Sequence, residues 1–243
     1  MKKVLAGGIA VSFLLAGCED KTNTVQEENK AVNPSKDNKK EEKVSQKIQG
    51  SQVNLQVQSR YTVAMNSVEG DTYTLHVFAN NEKHETQVDI WAGAAAGDEI
   101  YKGTYQLALQ STSSVLYLQE AQIGEFTFNT SRKSGFVSKG SPDFFVAVQT
   151  ENSNLSIGKV FYINKGKVIA VTINDSNSEI GIAGNHFKAL DKGKFMIANY
   201  DNGEAIWDFS TYQTDLETGH AKKIDTKKLP FEEGSMYVQE NFE

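Results

Sequence analysis

The sequence predicts an all-β protein: an antiparallel meander of hairpins, arranged either as a small β-propeller-like array or as a β-sandwich or barrel. Three observations carry that expectation. Apolar residues alternate with polar ones from Gln52 onward, four turns end in glycine between such runs, and helical periodicity is confined to Val4–Ala16 and an ambiguous stretch at Pro230–Phe242.

The first of those helical stretches is set apart by its flanks. Lys2 and Lys3 form a cationic start, and Val4 to Ala16 is a 13-residue run without charge that ends at Glu19-Asp20-Lys21. It is too short to span a bilayer, which takes roughly 20 apolar residues. Leu15-Ala16-Gly17 stands directly before Cys18, the single cysteine of the chain. This segment resembles a bacterial lipoprotein signal peptide with its lipobox. The resemblance implies cleavage between Gly17 and Cys18, a diacylglycerol thioether on Cys18, and a new amine open to further acylation, for instance by palmitate. One acyl chain binds a membrane only marginally, on the order of 10⁴ M⁻¹, whereas two hold a protein stably. The implied location is the extracytoplasmic face of the cell membrane, with a Gram-positive source expected.

The division that follows is 1–17 as the removed signal, 18–49 as the lipidated cysteine with a disordered polar linker, and 50–243 as one all-β extracytoplasmic domain. Residues 18–49 hold seven lysines against seven acids, and the only aliphatic residues larger than alanine between Glu19 and Gln49 are Val25, Val32, Val44 and Ile48. Such a segment buries too little apolar area to offset its ordering entropy. Residues 50–243 carry 16 Lys and Arg against 24 acids. That acidity argues against nucleic acid, which needs clustered cations. With the thiol lipidated, no disulfide can form within the mature chain.

Taken in order, Gln52 to Met65 reads as strand with Val53, Leu55, Val57, Tyr61, Val63 and Met65 on one face, and Glu69-Gly70-Asp71 as a turn. Thr72–Ala79 is a strand with Tyr73, Leu75 and Val77 inward, 80–84 is polar, and Thr86–Trp91 is strand again. Gly93–Gly97 is a small-residue loop, Tyr101–Leu109 alternates, Val115–Leu118 and Glu125–Phe128 are two strands, and Asn129–Ser141 is a polar surface loop. Phe144–Val148 is apolar throughout, as suits a strand covered on both faces.

Asn164-Lys165-Gly166, Asp191-Lys192-Gly193, Asp201-Asn202-Gly203 and Glu217-Thr218-Gly219 predict hairpin loops with the glycine left-handed after a type I turn. Asp143–Thr150 aligns loosely with Gly193–Tyr200, and Lys159–Ile163 with Ala205–Phe209, without a clean period. Gly193–Asp225 weakly resembles one blade of a bacterial β-propeller.

The search for chemistry assigns no catalytic residue, no metal ligand and no cofactor. His84-Glu85 lacks a second histidine four residues on, where Val88 stands, and His76, His186 and His220 have no ligand spacing. No glycine-rich phosphate loop or nucleophile elbow appears in a strand-to-helix setting. Asn174–Glu179 spaces oxygen side chains as calcium loops do, but Ile180 and His186 occupy the positions that would need Gly and Glu. Asp208, Asp215 and Glu217 offer a carboxylate pair for an envelope hydrolase if they converge in a cleft. The set Trp91, Trp207, Tyr101, Tyr105, Tyr162, Tyr200 and Tyr212 is expected to be core rather than a binding platform. The expected function is a lipid-anchored, non-enzymatic binding or interaction module for an envelope ligand or protein. The alternatives are the hydrolase and an assembly partner of a membrane complex.

Overall fold

A computed structural model describes residues 47–90, 93–150, 155–173 and 178–242. The signal segment, Gly17, Cys18, nearly all of the linker, Trp91 and Asn174–Asn177 lie outside the described residues. Those described belong to one compact unit, Val44–Glu243, made of strands in three sheets and one terminal helix. The all-β expectation holds.

The first sheet contains β1 (Ser51–Val53), β2 (Tyr61–Asn66), β3 (Thr72–Phe78), β4 (Lys83–Thr86), β5 (Glu99–Gln110) and β6 (Leu116–Asn129), in the order β1-β6-β5-β3-β2 with β4 also on β5. The second contains β7 (Gly135–Ser138), β8 (Phe144–Thr150), β9 (Ser156–Asn164), β10 (Lys167–Ala170) and β12 (Ile180–Ile182), in the order β10-β9-β8-β7 with β12 on β9. The third contains β11 (Thr172–Ile173), β13 (Phe187–Ala189), β14 (Lys194–Asp201), β15 (Ile206–Thr214) and β16 (His220–Pro230), in the order β11-β16-β15-β14-β13. Every pairing is antiparallel except β11 with β16.

The sheets stack in layers with the second in the middle, and the period of two shows why. Along β8, Phe145 and Ala147 face the first sheet while Phe144, Val146 and Val148 face the third; along β9, Phe161 and Ile163 face the first and Val160 and Tyr162 the third. The apolar run Phe144–Val148 is therefore covered on both faces, as its composition predicted. The third sheet is also apolar on its far side, through Met196, Ala198 and Phe209, and α1 (Phe231–Phe242) closes that side with Val238, Tyr237 and Phe242. Pro230 ends β16 by removing a ladder donor, and Glu232 and Glu233 sit in the first turn, where the helix dipole favours acids. The ambiguous C-terminal stretch is thus a helix.

Several boundaries differ from expectation. The folded part begins before Gly50: Ile48 is 6% exposed within the first core, and the Gln49 amide donates to the Gly166 carbonyl at 2.9 Å. Residues 54–59 keep the alternating burial read from the sequence but belong to no strand. They carry the chain from β1 at one edge of the sheet to β2 at the other, so the pattern reports one-sided packing without a ladder. The strand placed at Thr86–Trp91 lies earlier, at β4, leaving Val88 and Ile90 81% and 82% exposed. β7 forms inside the predicted polar loop Asn129–Ser141.

The two strands expected at Val115–Leu118 and Glu125–Phe128 are one, β6, interrupted by register shifts against β5 and by Gly124 at φ 78°. Side chains bond backbone groups in and beside this strand. Gln119, 6% exposed, donates from Nε2 to the Gln49 carbonyl at 2.8 Å and accepts from the Val168 amide at 3.0 Å, and Lys159 donates to the Ile123 carbonyl at 2.8 Å.

Of the four glycine turns, Glu217-Thr218-Gly219 behaves as predicted, with Gly219 at φ 81° and its amide bonded to the Asp215 carbonyl. Asn164 pairs directly with Lys167, so that loop has two residues, Lys165 and Gly166, both at positive φ, which is the type I′ pattern. At Asp191-Lys192-Gly193, Lys192 joins Gly193 at positive φ. Between Asp201 and Ile206 the left-handed residue is Ala205 at φ 53° and not Gly203, whose amide instead bonds the Asp201 side chain.

The loosely aligned segments prove to be corresponding strands, β8 with β14 and β9 with β15, each pair central to a four-strand meander. The stretch resembling a blade spans β14, β15 and the start of β16. The architecture, however, is an open stack of three sheets: the two core clusters join the first sheet to the second and the second to the third.

Three stability outcomes follow, each measured by denaturant unfolding. Ala205→Gly gains roughly 0.5–1 kcal/mol, because the left-handed penalty of ~1–2 kcal/mol for alanine exceeds the added entropy of glycine, ~0.5–1 kcal/mol. Gly219→Ala loses at least about 2 kcal/mol, since the left-handed penalty is joined by a Cβ placed 2.2 Å from the Ala170 carbonyl oxygen. Gln119→Ala costs about 1–3 kcal/mol by orphaning the Val168 amide.

Candidate functional site

The most enclosed concavity among the described residues is a cleft of about 270 Å³ where the first and second sheets meet the loop between β12 and β13. Each wall has a local cause. Ile100 on β5 and Val148 on β8 turn inward by strand alternation and form an apolar floor. Thr127 and Asn129 come from the end of β6, and Gln149 and Thr150 from the end of β8. Gly184 and Asn185 close the third side, and Arg132, Lys133 and Ser134 form a polar rim in the tight turn after β6.

That turn is held by a network at its base. Asn129 donates from Nδ2 to the Gly93 carbonyl at 3.0 Å and to Asp98 Oδ2 at 2.7 Å, while its Oδ1 accepts from the Ser131 amide. Ser134 donates to the Asn129 carbonyl at 2.8 Å, and Tyr61 reaches the Ser134 hydroxyl at 3.0 Å. Arg132 is anchored through Nε on Asp98 at 3.1 Å. Hydrogen bonds from Asn129, from the Ala95 amide and from Arg132 hold the Asp98 carboxyl below its ordinary range. Gln149 accepts from the Thr127 amide at 2.6 Å, tying the two sheets together across the cleft. Lys133 lies over the Phe136 ring at 4.6 Å. The result is an apolar floor, a rim of two cations and flanking amides. Its chemistry suits a ligand with an apolar body and an anionic or acceptor-rich end.

Of the carboxylates considered for hydrolysis, Asp208 stands apart from Asp215 and Glu217, which share one turn. Asp208 accepts from the Ser210 hydroxyl at 2.7 Å in mid-β15. Asp215 caps its own turn, taking the Glu217 amide at 2.9 Å, which lowers its pKa. At ~3.3 Å per residue the two lie on the order of 20 Å apart along the strand. Glu217 is paired with Lys165 at 2.6 Å, which holds its carboxyl low as well. A pair working across one glycosidic bond must stand within about 10 Å.

The histidines are dispersed. His76 contacts Ser59 and Gln110, His84 pairs with Glu99 and stacks on Tyr101 at 4.5 Å, His186 packs edge-on to Trp207 and Phe242, and His220 begins β16. Among the described residues no three His, Cys, Asp or Glu side chains gather as a metal site would require. Of the aromatic set, Tyr105 and Tyr162 are fully buried, Tyr212 stacks on Phe195, and Trp207 and Tyr200 pack beside Phe231 and Phe209. Tyr105, Tyr162 and Tyr212 are core and Trp207 packs against it, whereas Tyr200 is half-buried outside the core clusters.

A second charged cluster has a structural explanation. Between β3 and β4 the ladder to β5 breaks, and the Asn81 carboxamide replaces it, accepting from the Thr104 amide at 2.8 Å and donating to its hydroxyl at 3.0 Å. The break turns Glu82 inward, where it takes a forked hydrogen bond from Arg60 and one from the Tyr105 hydroxyl at 2.7 Å. The Arg60 guanidinium lies 3.3 Å from the centre of the Tyr101 ring. Burial opposes the Glu82 charge, but the bonds from Arg60 and Tyr105 outweigh it and lower the pKa; burial beside Glu82 pushes the Tyr105 hydroxyl far above its usual value.

Compared with known proteins, the chain matches no family model, no curated relative and no solved structure. The cleft residues went unpredicted because they come from five separate stretches between Gly93 and Asn185 with no motif among them. The one trace in the sequence was the polar loop holding Arg132, Lys133 and Ser134.

The Glu82 cluster makes a pH-dependent prediction. A carboxyl lowered in the folded state stabilises above its unfolded pKa and loses that contribution as pH falls through its folded value. Stability measured from pH 7 down to pH 3 therefore declines less steeply in Glu82→Gln than in the natural chain. At pH 7 that variant is less stable by about 1–3 kcal/mol, the cost of weakening a buried charged hydrogen bond.

Proposed function

We propose that the chain is a lipid-anchored lipoprotein serving as a non-enzymatic binding module at the extracytoplasmic face of a bacterial cell envelope, and that the cleft beside Arg132 receives its ligand. One observation carries the reading: the apolar run that ends in Leu15-Ala16-Gly17 directly before the single cysteine, Cys18. The absence of converging carboxylates at Asp208 and Asp215 removes the reason for preferring a hydrolase. The cleft supports a binding role, because it couples apolar area, which contributes affinity, with a few fixed polar groups, which orient a ligand.

Intact mass of the membrane-extracted protein tests the anchor. A mature chain starting at a lipid-modified Cys18, with Cys18→Ala released into the medium, is the expected result; an unmodified soluble chain overturns it. The cleft is tested separately by the melting temperature of the full chain with small aryl carboxylates and matched aryl amines. At ten times Kd a carboxylate adds ~1.4 kcal/mol, or about 3–6 °C for a domain of this size. Arg132→Ala should lose that rise while keeping its unliganded melting temperature within about 1 °C, as surface substitutions usually do.

A further inference from the structure

Among the described residues the third sheet has an open edge. β16 pairs with β15 along its inner side, whereas on its outer side β11 meets only His220 and Ala221. From Lys222 to Pro230 no described strand occupies that side, and every residue from Lys222 to Lys228 is exposed. A strand alternates its backbone groups between its two sides, so this edge presents a row of N–H and C=O groups without a partner strand among the described residues.

The edge is also cationic. Residues 222–230 carry four lysines and one aspartate in a chain whose net charge is −6. The lysines line both faces of the strand: Lys227 lies over the Tyr237 ring at 4.1 Å on the helix side, and Lys223 over the Tyr212 ring at 5.8 Å on the opposite side, where Lys228 stands across from Asp208. Lysines on an edge strand repel a second copy of the same edge, which is their ordinary protective role. The same charges favour an acidic strand, and β11 shows that this edge accepts an added strand at its start. The linker at 18–49 balances seven lysines with seven acids and so lacks the complementary charge.

We propose that the outer edge of β16 is a docking strand for an extended acidic peptide segment of a partner protein, which adds to the third sheet by backbone hydrogen bonds and is selected by Lys222, Lys223, Lys227 and Lys228. This recognition is strand addition, in which the main chain supplies affinity and side chains supply selectivity.

The experiment uses the full chain in detergent and three fluorescent ten-residue probes: alternating Thr-Glu, the same composition with proline replacing two central threonines, and alternating Thr-Lys. The Thr-Glu probe should bind at least tenfold more tightly than either other probe. Its affinity should fall at least tenfold in the exposed charge reversal Lys223→Glu/Lys227→Glu/Lys228→Glu, whose circular dichroism should match the natural chain. Hydrogen exchange should slow at amides within 222–229 and not around Arg132. Equal binding of the proline probe would reduce the effect to charge attraction and overturn strand addition. Absent binding, protection elsewhere, or a dimer of the protein in place of a peptide complex would overturn it equally.

Discussion

Burial of the second sheet on both faces is the constraint on which the rest depends. Once Phe144 and Phe145 must both leave water, on opposite sides of β8, a sheet has to lie against each face. The first sheet satisfies this with one apolar face. The third presents apolar residues on both sides, which is why the chain cannot end at β16 and adds α1 to cover Phe209 and Met196. Burying a large apolar side chain contributes roughly 1.5–3 kcal/mol, so this succession of layers supplies the stability of a fold without a disulfide among its described residues.

Polar side chains repair the places where the layers interrupt regular pairing. The irregular β6 leaves the Ile123 carbonyl to Lys159 of the second sheet, Gln119 of β6 bonds the Gln49 carbonyl and the Val168 amide, and the break between β3 and β4 is filled by Asn81. Each repair also joins elements far apart in sequence. The turn after β6 follows the same logic, since Asn129, Ser134 and Asp98 stiffen it while Arg132 and Lys133 remain at its rim. A rigid base beneath exposed cations is a suitable arrangement for binding, because little ordering remains to be done when a ligand arrives.

Legibility differs between fold and site for a physical reason. Alternation is a property of a single strand, so Tyr73, Leu75 and Val77, or Phe144 to Val148, declared their faces before any partner was known. Partner choice is not local: much of 51–65 alternates, yet the stretch divides into β1, a crossing that belongs to no strand and β2 at opposite edges of one sheet. The cleft was less visible still, because its walls are the ends of strands from different sheets. The carboxylates failed in the opposite sense. Asp208 and Asp215 are close in sequence, but an extended chain separates neighbours quickly.

By itself the sequence determined the class of structure, the inward residues of most strands and the left-handed glycine at Gly219, because each follows from the chemistry of a few consecutive residues. It also carries the Leu15–Cys18 motif on which the proposed anchor rests. Only the tertiary structure decided that Ala205 takes the left-handed position in place of Gly203, that β16 is left largely as an edge among the described residues, and that Arg132 stands at the rim of an apolar floor. These features depend on which strands meet, and that is settled by the packing of three layers at once and not by any segment alone.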